Sequence, residues 1–146
     1  MSVFNIAEHI LTETGPLAPE KLERLVYFAQ EDVLAEGLGP LFHEPIEAWD
    51  HGPVCPALFH RLNGRLIVHP GDLGGVRESL APAKAGVVSA MLLRLKQCST
   101  RELNALACGE APWQQAHADQ RSGPGNLKIT AAAIARAHGR SFPPLR

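Results

Sequence analysis

The stretch Pro19-Glu20-Lys21-Leu22-Glu23-Arg24-Leu25-Val26-Tyr27-Phe28-Ala29-Gln30-Glu31-Asp32-Val33 decides the fold. Proline suits the first turn of a helix, where its missing N–H costs nothing. The pattern therefore predicts a helix from Pro19 to a stop at Gly37. Leu22, Leu25, Val26, Ala29 and Val33 recur at the spacing of one helical face. Glu20, Arg24 and Glu31 lie opposite and read as solvent-facing charge. Tyr27 and Phe28 fall off the stripe, so the helix is apolar on more than one side. Such a helix runs through the middle of a small domain, and both rings are expected in the core.

Working outward, Val3, Ile6, Ala7, Ile10 and Leu11 mark an amphipathic helix over residues 3–12, capped by Ser2 and stopped by Gly15-Pro16. After the Gly37–Pro40 turn, residues 46–49 read as a short strand and residues 66–68 as a second. A brief helix over residues 56–63 separates them and buries Leu58, Phe59 and Leu62. The Pro70–Gly75 loop, PGDLGG, lacks the Lys and Ser/Thr of a phosphate loop and the spacing of a dinucleotide fingerprint. A helix from Pro82 turns Val87, Val88, Met91, Leu92 and Leu95 inward. Ser99 and Glu102 form a capping box for the next, which buries Leu103, Leu106 and Ala107 and ends at Gly109. A short helix starts at Pro112, a polar loop fills residues 121–126, and Thr130 caps a last helix with Ile129 and Ile134 as its hydrophobic staple. The expected fold class is α+β: a mainly helical single domain over residues 1–140 with a small antiparallel sheet. Residues 141–146 form a short tail that Pro143-Pro144 keeps extended.

Composition bounds the function. The 146 residues, 45% hydrophobic and 20% charged, fit one globular domain. No apolar run approaches the ~18 residues of a membrane span. Residues 1–11 lack a basic n-region and carry Glu8, so no signal peptide is expected. Cys55, Cys98 and Cys108 are odd in number and unpaired in pattern, which points to a reducing, cytoplasmic setting. The net charge of −1 conceals a gradient: residues 1–50 hold ten acids against two bases, whereas residues 121–146 hold five bases and no acid. The acidic half suits a basic protein partner. Five dispersed charges are too weak a footprint for nucleic acid.

The seven histidines show neither H-E-x-x-H nor a partner C-x-x-C, so no metal site is expected. Cys55 precedes a helix start, with His51 and His60 as neighbouring bases, and so offers a thiol-centred catalytic arrangement. Nothing around it forms a known local signature, and a lone cysteine more often fills a core. The Glu31-Asp32 and Glu44/Glu47 pairs read as surface charge, and G-x-S-x-G is absent.

Four blocks say more. Lys21-Leu22-Glu23-Arg24-Leu25-Val26-Tyr27-Phe28-Ala29-Gln30 is followed by Glu47-Ala48-Trp49-Asp50-His51-Gly52-Pro53-Val54-Cys55-Pro56, then by Glu110-Ala111-Pro112-Trp113 and the Lys128-Ile129-Thr130 helix start. In order and spacing the chain resembles the Panacea domain, the SocA-like antitoxin family also found in phage-associated proteins. Arg24 stands where the family pattern has a second lysine, and Phe28 where it has a tyrosine. The resemblance implies a bacterial antitoxin that neutralises a cognate toxin by direct binding, either blocking it or delivering it to a protease, and the acidic first half suits a basic one. It implies no turnover and no cofactor. Candidate contacts are Glu20, Tyr27, Glu31, Asp50, His51 and Trp113. Trp49, Gly52, Pro53, Val54 and Pro112 are expected to serve the fold, with Trp49 and Trp113 in the core and Trp49 anchoring the sheet on the central helix. The alternative is a small Cys/His-dependent enzyme centred on Cys55 with His51 or His60.

Overall fold

The computed structural model describes residues 1–74, 78–119 and 127–139. Among the described residues ten elements follow one another: α1 (Val3–Thr14), α2 (Pro19–Ala35), β1 (Ile46–Trp49), β2 (Gly52–Val54), α3 (Pro56–Leu62), α4 (Pro82–Leu95), α5 (Thr100–Cys108), α6 (Ala111–Asp119), β3 (Lys128–Ile129) and α7 (Ala131–Ala137). The mainly helical α+β class is as expected. The polar loop at residues 121–126, the tail at residues 141–146 and Gly75 of the glycine loop lie outside the described residues.

Local chemistry sets the helix ends. The Ser2 side chain accepts from the Asn5 N–H while Asn5 returns the bond to the Ser2 N–H, a reciprocal cap. Ser99 and Glu102 do the same for α5, and Thr130 Oγ1 accepts from the Ala133 N–H at the start of α7. Pro19, Pro56 and Pro82 open α2, α3 and α4.

Helix α2 is the axis of the molecule. Every residue from Leu22 to Glu31 is buried, on all faces at once. α1, α3, α4, α5, α7 and the β2 strand pack around it. This arrangement corrects one expectation: Arg24 and Glu31 face other elements, not solvent, and are 2% and 3% exposed. A helix encircled by its neighbours must bury its charges as well as its apolar stripe, and each buried charge then needs a partner. Gln30 shows the neutral version. Its amide nitrogen donates to the Phe42 carbonyl at 2.9 Å and its oxygen accepts from the Leu41 N–H at 2.6 Å. One side chain thus supplies the hydrogen bonds of an irregular segment that has no ladder of its own.

The sheet is three-stranded and antiparallel, in the order β2-β1-β3. β1 meets β2 with Glu47 opposite Val54, Ala48 opposite Pro53 and Trp49 opposite Gly52. It meets β3 with Ile46 opposite Ile129 and Glu47 opposite Lys128. The strand expected at residues 66–68 is not part of it. Val68 makes a single bridge to Leu17, while Leu66 and Ile67 are 87% and 48% exposed. Two further side chains expected inward also face out: Phe59 of α3 and Leu106 of α5. Both helices are short and cover the core with one narrow edge.

Candidate functional site

Distant parts of the sequence converge on the β1–β2 hairpin. The Arg24 guanidinium lies against its tip strand. Nη1 donates to the Pro53 carbonyl at 3.0 Å, Nε donates to Asn104 Oδ1 at 2.7 Å, and Nη2 reaches Glu20 Oε2 at 3.3 Å. The Asn104 amide also donates to Glu20 Oε2 at 3.2 Å. Gly52 makes this approach feasible. A Cβ there would stand 2.5 Å from Arg24 Nε, and the backbone φ of +152° disfavours any other residue. Pro53 is tolerated because β2 is an edge strand. The G-P-V motif is therefore the receiving surface for a buried arginine.

Glu23, one residue earlier, accepts the Cys55 N–H on Oε1 at 2.9 Å and so caps the start of α3. Its second oxygen, Oε2, is buried without a hydrogen-bond partner among the described residues. Burial pushes the carboxyl up to about 7, against the lowering effect of the Cys55 N–H and the Arg24 charge.

Helix α6 grips the other side of the hairpin. Trp113 Nε1 donates to the Trp49 carbonyl at 2.9 Å. Its ring stacks on His117 at 4.4 Å, and His117 Nε2 lies 2.9 Å from Asp50 Oδ1. The Cys108 thiol approaches the His51 carbonyl at 3.6 Å. Trp49 points away from the core, since Ile46 and Ala48 occupy the inward face of β1. Its indole N–H donates to Glu47 Oε1, and its ring meets Phe59 edge-on at 4.9 Å. Both tryptophans are thus half-buried, and Trp49 anchors on α3, not on α2 as expected.

Between α2, the hairpin and α3 an open groove of about 330 Å³ remains, walled chiefly by Trp49, Val54, Phe59 and Leu62, with Glu20, Glu23 and His51 contributing polar groups. Of the expected contacts, Glu20 and His51 line this groove, whereas Asp50 lies on the α6 side of the hairpin against His117; all three are exposed. Trp113 braces the hairpin from behind. Tyr27 and Glu31 do not belong to it. They are buried, and α2 turns them toward Glu110, whose carboxyl faces that of Glu31. The Tyr27 hydroxyl lies 3.5 Å, and His138 Nε2 3.6 Å, from Glu31 Oε2. Burial first, and then the facing carboxylate, lift Glu110 to about 8, so the two acids share a proton at neutral pH. Burial likewise drives the Tyr27 hydroxyl far above its usual range.

Cys55 is 2% exposed, and burial lifts its thiol to about 11 despite amide hydrogen bonds from α3. His51 and His60 are exposed. The conditions for a thiolate nucleophile are not met at neutral pH. Among the described residues no three His, Cys, Asp or Glu side chains converge as metal ligands. The glycine loop carries its own anion: Glu8 accepts the Gly71 N–H at 2.8 Å and the Leu73 N–H at 3.0 Å, taking amides that a phosphate would need.

Sequence reasoning missed Glu23, Arg24 and Asn104 as site residues. The available signal was charge placed inside a helix that is apolar on several sides. Comparison with protein-family models, with curated proteins and with solved structures finds no match to this chain. Among the described residues no helix is long and apolar enough to cross a membrane.

Proposed function

We propose that the chain is the antitoxin of a bacterial toxin–antitoxin pair and acts in the cytoplasm by binding a basic toxin directly. One observation supports this reading most. Several residues of the Panacea-like blocks, Arg24, Trp49, Gly52, Pro53 and Trp113, meet at one hairpin, and an open, mostly apolar groove lies beside it. A rigid scaffold presenting a concave apolar surface with a few polar groups is what a binding module needs. The acidic first 50 residues favour a basic partner and would speed its capture. Neutralisation by blocking, or by handing the bound toxin to a protease, uses the same surface. The buried, high-pKa Cys55 argues against a Cys/His enzyme.

The test is co-expression with the product of the adjacent open reading frame in a bacterial host. Growth arrest by the neighbour alone, its relief by this chain, and co-elution of the two proteins are expected. A neighbour that is harmless, or whose toxicity this chain leaves unchanged, refutes the proposal.

A further inference from the structure

We propose that α6, β3 and α7 form a separately opening unit, latched to α2 by one proton that Glu31 and Glu110 share, and that rising pH releases the latch. This device goes beyond the antitoxin reading and does not depend on it.

The latch is a cluster drawn from three helices. Glu31 leaves α2 with its side chain only 4% exposed. The Tyr27 hydroxyl donates toward Glu31 Oε2 at 3.5 Å, and His138, at the end of α7, brings Nε2 to 3.6 Å from the same oxygen. Glu110 stands at the start of α6, where its carbonyl accepts the Gln114 N–H at 3.1 Å. Its carboxyl faces that of Glu31, and its Oε1 is buried without a hydrogen-bond partner among the described residues. Two carboxylates enclosed in this way repel each other strongly once both are ionised, so holding them together requires a proton. Two further charges among the described residues face the pair. Asp32 on α2 adds to the repulsion. Arg94 on α4 draws Glu31 but is paired to Asp32 at 3.1 Å. On the α7 side His138 offsets the negative charge only while it is protonated.

The rest of the unit is lightly held. Among the described residues α6, β3 and α7 together bury Pro112, Ala116, Ile129, Ile134 and Ala135, of which two are large aliphatic side chains. Its ties to the hairpin are polar: Trp113 to the Trp49 carbonyl, His117 to Asp50, and the Ala48 N–H to the Leu127 carbonyl at 2.8 Å. Segments with few buried apolar contacts open ahead of the whole molecule. Meanwhile α1, α3, α4 and α5 keep their own contacts with α2, and Arg24 still holds β2. Opening returns Glu110 to water and its ordinary 4.5, whereas the closed unit holds it at about 8. Below the lower value both forms carry the proton and the latch is at full strength. Between the two values each pH unit favours opening about tenfold, and above the upper value the loss is complete. Release bares the Glu31 side of α2 and the edge of β1 that β3 covers.

The experiment is hydrogen–deuterium exchange of the full chain, read by mass spectrometry between about pH 5 and pH 8. Rates are converted to protection factors, which removes the intrinsic pH dependence of amide exchange. Peptides from α6 and α7 should be less protected than those from α1 and should lose protection about tenfold per pH unit. In Glu110→Gln, whose amide stands for the protonated acid, that slope should flatten. Glu31→Gln should flatten it too, so either variant serves if the other fails to fold. Glu23→Gln is the control: Glu23 lies outside the unit, so the slope in α6 and α7 should stay as it is. Equal protection and equal slope in α1 and α7 would show one cooperative opening and overturn the proposal. So would a slope in α6 and α7 that Glu23→Gln removes, or one that survives glutamine at either member of the pair.

Discussion

Replacing Glu23 by glutamine should make the protein more stable at neutral and alkaline pH, against the usual direction for a buried substitution. Glu23 ionises at an ordinary 4.5 in the unfolded chain and at about 7 in the fold. Below the lower value both states are protonated, and the residue contributes no pH dependence. Between the two values the unfolded chain has released its proton while the folded chain holds it. Stability then falls by about 1.4 kcal/mol per pH unit. Above the folded value the loss is complete, at about 3 kcal/mol. That is a large share of a typical total of ~5–15 kcal/mol. A glutamine mimics the protonated acid: its oxygen can still accept the Cys55 N–H, and it has no charge to bury. Urea denaturation of both proteins between about pH 5 and pH 8 isolates the effect, since Glu31, Glu110 and Cys55 titrate equally in each. The two should be similar near pH 5, diverge up to about pH 7, and run parallel above it, with the variant more stable. Parallel curves across the whole range would refute the reasoning, because Glu23 would then titrate alike in both states.

Gly52→Ala should cost at least about 2 kcal/mol, from backbone strain and the displaced guanidinium, and should lower the thermal midpoint correspondingly. Glu110→Gln should flatten a second fall in stability, the one that accompanies rising pH from 4.5 to about 8 in the Glu31–Glu110 pair, visible in the same urea series. Cys55 should resist alkylation at neutral pH and react only when the protein unfolds, so peptide mass spectrometry should find Cys98 and Cys108 modified first. Fastest labelling at Cys55 would return weight to the thiol-centred enzyme.

The helices were legible because their signals are local. Apolar spacing, prolines at first turns and the Ser99–Glu102 box each concern a few neighbouring residues. The sheet was not. Gly52-Pro53-Val54 carries two residues that argue against a strand, and it pairs only because it lies at an edge with Arg24 beneath it. Lys128–Ile129 is too short for any periodicity to show. Leu66-Ile67-Val68 has a strand's composition, but it makes one bridge and otherwise faces solvent. The candidate site was half legible. The hairpin motif led to it, and of the residues named from the sequence Glu20 and His51 line the groove. Tyr27 and Glu31 were drawn in because a helical wheel shows which residues share a face and not what covers that face. Glu110, distant in sequence, faces theirs.

The order of synthesis gives this last contact a temporal meaning. Helix α2 and the hairpin leave the ribosome early, but Glu110, the β3 strand and His138 emerge about 90 to 120 residues after α2 begins, several seconds later at ~5–20 residues per second. Until then α2 presents its Glu31 side without cover, and β1 has one free edge. The nascent chain is therefore exposed to proteolysis and mispairing over that interval, and its last third acts as the closing half of a fold begun by its first.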